Sequence, residues 1–254
     1  MILRRVVQRL KQQEWTAVVI EIAIVVLGVF IGIQVSNWND DRKEQALEVV
    51  YLDRIAGDVR SDVAEIDEIL RVSSFRMAVM NRVLRDATGR DLPHGFESAR
   101  GRIRVEDVPA LAAGDRNSPS FALFILTTLD GNRSAYDTVI STGGIGLMRD
   151  AAMLGQVQAY YASVDKALHF EVGLEQNRDK LIDAERHVGI SPVDAMTTRE
   201  LASAFAADRE LLATAQNYWL YTNRQIKLMR ELQQQAKALA AAIRHRDQRR
   251  GSTP

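Results

Sequence analysis

The stretch from Trp15 to Asn39, WTAVVIEIAIVVLGVFIGIQVSNWN, constrains this chain more than any other, because between Thr16 and Asn37 it carries one formal charge, Glu21. A helix of about 20 apolar residues crosses a hydrocarbon core of roughly 30 Å. Trp15 and Trp38 bracket the run. At about 1.5 Å per residue they stand roughly 34 Å apart along a helix, the spacing of interfacial aromatic belts. The rival reading is a cleaved signal peptide, whose apolar region spans about 7–15 residues and ends in an Ala-x-Ala-like site. This run is longer and ends in Ser36-Asn37-Trp38-Asn39, a poor cleavage context. The expectation is an uncleaved transmembrane helix over 15–38.

The flanks orient it. Arg4, Arg5, Arg9 and Lys11 precede the segment, whereas Arg42 and Lys43 follow it among Asp40, Asp41 and Glu44. The positive-inside rule then places the N-terminus in the cytoplasm. The expected organisation is a cytoplasmic amphipathic tail over 1–14, the transmembrane helix over 15–38, and a periplasmic helical domain over 39–254 with an irregular insert at about 88–130. The location that fits is a bacterial inner membrane, crossed once.

Within the span, Ala17, Glu21, Gly28 and Gly32 fall on one narrow face of a helical wheel. Gly28-x-x-x-Gly32 has the spacing that lets two transmembrane backbones approach closely. A stripe combining a carboxylate with small residues is expected to face protein rather than lipid. Glu21 then has two readings: a protonated or snorkelling group that hydrogen-bonds across a helix pair, or a carboxylate that exchanges protons or meets a partner's basic group.

Beyond Trp38 the pattern is helical. Val59, Val63, Ile66, Leu70, Ser73, Met77, Met80 and Leu84 step by four and three, a heptad seam that Gly89 ends. Continuous with the anchor, such a helix makes a stalk of about 60–70 Å. Pro93, Pro109 and Pro119, with Gly89, Gly95, Gly101 and Gly114, break the pattern. FALFILTTL (Phe121–Leu129) reads as a buried helix or strand, the helix being preferred because no second strand is evident to pair with it. Ser134 onward reads as a short helix closed by Gly143-Gly144, and Asp150 as the cap of a helix to about Val188 with Leu154, Val157, Tyr161, Val164 and Leu168 on one face. Thr197-x-x-Glu200 fits a capping box. A last helix spans about Arg209–Arg246, with Leu212, Ala215, Trp219, Thr222, Ile226 and Met229 on its seam. The predicted fold class is all-α: a transmembrane helix followed by an elongated helical bundle with long antiparallel helices.

Composition removes several function classes. Lys+Arg and Asp+Glu are both 33, so no charge excess points to nucleic acid. Cysteine is absent, which removes disulfides, thiolate catalysis and Cys-based zinc sites. His94, His169, His187 and His245 show no ligand spacing, and no GxSxG is present. GGIG (Gly143–Gly146) lacks a phosphate-loop frame and reads as a helix stop. Acidic pairs such as Glu65/Glu68 read as a solvated helix face. The basic tail RHRDQRR (Arg244–Arg250) suits either anionic headgroups or a helix C-terminus.

Glu21, IVVLGVFIGIQ (Ile24–Gln34) and Asn37-Trp38-Asn39 resemble a family of bacterial membrane proteins of similar length, the domain of unknown function 6090. SAYDTVISTGGIGLMRD (Ser134–Asp150), followed by Tyr160-Tyr161, is similar to a second motif of that family, with Thr142 where serine is common. Because the two segments stand far apart, the resemblance implies coverage of nearly the whole chain. It implies a single-pass envelope protein and supplies no activity.

The functional expectation is a non-enzymatic, membrane-anchored helical protein, a scaffold, accessory or sensing module. Its partners are the lipid bilayer and a second copy or another membrane protein on the Ala17/Glu21/Gly28/Gly32 face, without nucleic acid, metal or cofactor. The alternative is an ion- or proton-coupled single-span subunit that uses Glu21. An enzyme would instead act through the part from about Asp40 onward.

Overall fold

A computed structural model describes the backbone of residues 2–99, 101–111 and 118–251, and within these the side chains of all but 2–14, 16–18, 247, 250 and 251. Among the described residues six α-helices carry almost all the regular structure: α1 (Ile2–Thr88), α2 (Pro119–Phe124), α3 (Ser134–Ser141), α4 (Ala151–His187), α5 (Thr198–Ala207) and α6 (Arg209–Gly251). A 3-10 turn (Gly144–Leu147) follows α3. The chain forms two compact units, residues 1–51 and 52–254.

The first unit is the leading part of α1. It contains the one segment among the described residues that is long and apolar enough to cross a membrane. Every side chain from Val19 to Trp38 is exposed. The tail over 1–14 is helical from Ile2, and its side chains lie outside the described residues.

The second unit is built on the rest of α1, α4 and α6. The predicted seams form its core: Val59, Ile66, Met77, Met80 and Leu84 of α1, Val157, Tyr161 and Val164 of α4, and Ala215, Trp219, Ile226 and Met229 of α6 are all buried. Contacts give the directions. Asp67 meets Gln233 and Asn81 meets Trp219, so α6 runs antiparallel to α1. Asp62 meets Tyr160, while the field of Glu171 is felt at Arg76, so α4 runs the same way as α1. The link between α1 and α4 therefore returns along α1 before α4 begins.

Local signals place most ends. The Asp150 carboxylate accepts from the N–H groups of Ala152 and Met153 at the start of α4. Thr197 and Glu200 form the reciprocal capping box of α5. Gly143, at φ 72°, takes the left-handed conformation that closes α3.

Two parts of the 88–150 region differ from the sequence reading. Residues Gly95–Ser98 (β1) and Gly101–Arg104 (β2) pair as an antiparallel hairpin. Four residues per strand are too few for an alternating pattern to be legible, and the hairpin gains its apolar contact from elsewhere, with Phe96 edge-on to Trp219 at 6.1 Å. The helix expected over Phe121–Leu129 stops at Phe124. Beyond it the Ile125 and Thr127 carbonyls and the Leu129 N–H bond to Arg76, Gln225 and Glu171 instead of to a helical ladder.

Candidate functional site

Two arrangements carry the polar chemistry of the chain, one on the exposed apolar part of α1 and one inside the second unit.

On α1, Glu21, Gly28 and Gly32 are exposed, and a methyl group added at either glycine would meet nothing within 4 Å. Ala17 belongs to the same helix, but its side chain lies outside the described residues. Trp15 and Trp38 are both exposed, at 70% and 61%. The Arg42 guanidinium sits 4.9 Å over the Trp38 ring, so a cation stacks on the aromatic that bounds the apolar run.

Inside the second unit, acidic residues of one α1 face grip the segment 129–135. Glu65 Oε1 accepts from Asp130 N at 2.6 Å, and Asp62 Oδ1 from Asn132 N at 3.1 Å. Asp58 Oδ2 accepts from Ala135 N at 2.8 Å, and its Oδ1 from Asn132 Nδ2 at 3.2 Å. From α4, Glu171 Oε2 accepts from Leu129 N at 2.9 Å. Arg133, the residue before α3, makes no side-chain cap, so Asp58 reaches across from α1 to satisfy a first-turn donor. Gly131, at φ 66°, makes the turn possible; a Cβ there would also lie 3.0 Å from Val164 Cγ1.

Arg76 lies above this clasp, 1% exposed. Its Nη2 donates to Gln225 Oε1 at 2.6 Å, its Nη1 to the Ile125 carbonyl at 2.7 Å and its Nε to Thr222 Oγ1 at 3.3 Å. Gln225 Nε2 then donates to the Thr127 carbonyl and to Glu171 Oε1. Burial lowers the Arg76 pKa, an effect opposed by the nearby Tyr218 and Glu171. Burial likewise pushes the Glu171 carboxyl up to about 7 against the bonds from Leu129 and Gln225. Asp62 and Glu65 are raised for the same reason.

The tyrosine pair completes the cluster. Tyr160 Oη donates to Asp62 Oδ2 at 2.5 Å. Tyr161 stacks on Tyr136 at 4.2 Å, and the Arg133 guanidinium covers both rings. Arg133 is in turn bonded to Asp165. These carboxylate oxygens and amides bond one another and the backbone, so the arrangement fixes a segment rather than presenting a nucleophile. Among the described residues no three His, Asp or Glu side chains are placed to hold a metal ion.

The sequence reading placed Glu65 on a solvated face. It is half-buried and bonded to the backbone, and the solvated partner is Glu68, which pairs with Arg71. Asp58, Asp62, Arg76, Glu171 and Gln225 were not singled out. The available signal was a charge falling within the apolar seams, as at Arg76 beside Met77.

Fold and sites together define an all-α protein with, among the described residues, one apolar helix long enough to span a bilayer. Residues 21–90 match the model of a family of unknown function, DUF6090. Over that stretch the chain is similar to this family, and the match includes Glu21, Ile24–Gln34 and Asn37–Asn39. No curated protein and no solved structure matches the chain. The matched range ends within two residues of the end of α1, so the resemblance at Ser134–Asp150 and Tyr160-Tyr161 lies outside it. The fold nevertheless seats that second stretch on the matched helix, through Asp58 and Asp62.

Proposed function

We propose that this is a single-pass, non-enzymatic protein of a bacterial inner membrane, with a cytoplasmic N-terminus and a periplasmic second unit, which works by assembling with a second copy or another membrane protein. The observation that carries this reading is the fully exposed apolar run from Val19 to Trp38, with Glu21 on the same face as Gly28 and Gly32. Each large apolar side chain left in water forfeits about 1.5–3 kcal/mol, so a bilayer is the natural cover for the run. A carboxylate in that layer is costly unless it is neutral and bonded, which favours a partner helix on the glycine face.

Chemical cross-linking and light scattering in a mild detergent test it. Gly28→Leu combined with Gly32→Leu is expected to dissociate the assembly, whereas Glu21→Gln, which keeps a hydrogen-bonding group, is expected to preserve it. A parent chain that is monomeric and cross-links in membranes to no other membrane protein would refute the reading. The placement of Glu21 in the span also supports the second reading, proton or ion coupling. For that reading Glu21→Gln leaves the complex intact but abolishes its activity, and an unchanged activity rejects it.

A further inference from the structure

A groove runs beside the last turns of α1, away from both arrangements described above. Its inner part, about 400 Å³, lies between Asn81, Arg82 and Arg85 of α1, the segment Val108–Leu111, and Thr198 at the start of α5. Its outer part, about 570 Å³, is lined by the same Arg82 and Arg85 together with Asp86, Arg90, Asp91 and Arg199. The shared arginines join the two parts. The inner volume is that of a small-molecule site.

The charges do not balance. Arg82 Nε pairs with Asp86 at 2.7 Å and Arg85 Nε with Asp91 at 3.5 Å. Arg90 and Arg199 have no carboxylate partner among the described residues, which leaves four guanidinium groups facing two carboxylates. The other donors point to the same chemistry. Asn81 uses its Oδ1 to accept from Trp219 Nε1 at 2.7 Å, and its NH₂ has no partner among the described residues. Thr198, the first residue of α5, lies at the groove edge. The apolar lining comes from Val108, Pro109 and Leu111 of the segment after the hairpin, and from Ala78 on α1 itself.

We propose that this groove binds a small organic anion, a carboxylate or phosphate ester carried on an apolar body. Arg90 and Arg199, beside Arg82 and Arg85, hold the acid group, and Val108, Pro109 and Leu111 receive the body. Arginine suits this role because its planar fork matches such oxygens in pairs. The inference is independent of the assembly reading, since every lining residue lies within the second unit.

The test uses the full chain in phosphatidylcholine nanodiscs, whose lipid adds no net charge, with phenyl phosphate as probe and inorganic phosphate as comparator in titration calorimetry. Phenyl phosphate is expected to bind saturably, one per chain, at least tenfold more tightly than inorganic phosphate. Raising sodium chloride to 0.5 M is expected to weaken it, because exposed charges are screened. The double variant R90Q/R199Q removes the two unpaired cations from exposed positions and is expected to weaken phenyl phosphate at least tenfold with an unchanged melting temperature. Absence of saturable binding, equal affinity for the two anions, or undiminished binding in R90Q/R199Q would overturn the proposal.

Discussion

Glu185 lies in α4, 2% exposed, and its Oε1 has no hydrogen-bond partner among the described residues. Burial alone raises its carboxyl from 4.5 to about 7. A group that holds its proton more tightly when folded stabilises the fold fully below the unfolded value; that stability is lost as pH rises through the folded one. The fold should therefore lose stability between about pH 4.5 and 7 through this residue, and Glu171, also raised to about 7, acts in the same direction. Glu185→Gln cannot ionise, so it is expected to melt higher than the parent at pH 8, by about 1–2 kcal/mol, with no gain at pH 4. Parallel melting curves at both pH values would reject this account. Tyr160 behaves oppositely, because its hydroxyl is used: Tyr160→Phe deprives Asp62 of a short bond and is expected to cost about 1–3 kcal/mol in denaturant unfolding. The sequence announces neither role. Asp150 and Thr197 are legible because a cap and its donors lie within three residues. Asp58, Asp62 and Glu65 look like an ordinary acidic helix face, because their donors lie 65 to 98 residues away.

The long helices follow from heptad spacing and from caps, and they appear where those signals lie. Within the connection between α1 and α4, α3 and its Gly143 stop were legible, whereas the stretch Ile125–Asn132 was not, and the reason is physical. Its backbone is paired by side chains of α1, α4 and α6 rather than by its own ladder, so no local period marks it. Position 131 tests this element. Gly131→Ala adds a Cβ at φ 66° within 3.0 Å of Val164, and is expected to cost about 1–3 kcal/mol by thermal melting. A loss this large from one methyl group requires the turn to be held in place; a mobile turn would absorb it. Arg76 couples the same connection to α6. Arg76→Met leaves the Gln225 and Ile125 oxygens buried without their donor, and a loss of about 2–4 kcal/mol is expected, read in the same melts.

At the scale of the molecule, the buried apolar residues run from Leu52 to Ile243, all within the second unit. A chain starting at Leu52 is therefore expected to keep a cooperative melt and a helical circular dichroism spectrum without lipid, and a broad, non-cooperative melt would contradict it. The Arg76 cluster also bears on how this unit is made. The three acceptors of Arg76 lie at Ile125, Thr222 and Gln225, the last two 146 and 149 residues further along the chain. Until α6 has emerged, the guanidinium lacks two of its partners, and burying it alone is unfavourable. Contacts so distant in sequence are slow to form and leave apolar seams open meanwhile. The last helix thus sets the moment at which this unit closes, and the chain must be guarded against aggregation until it arrives.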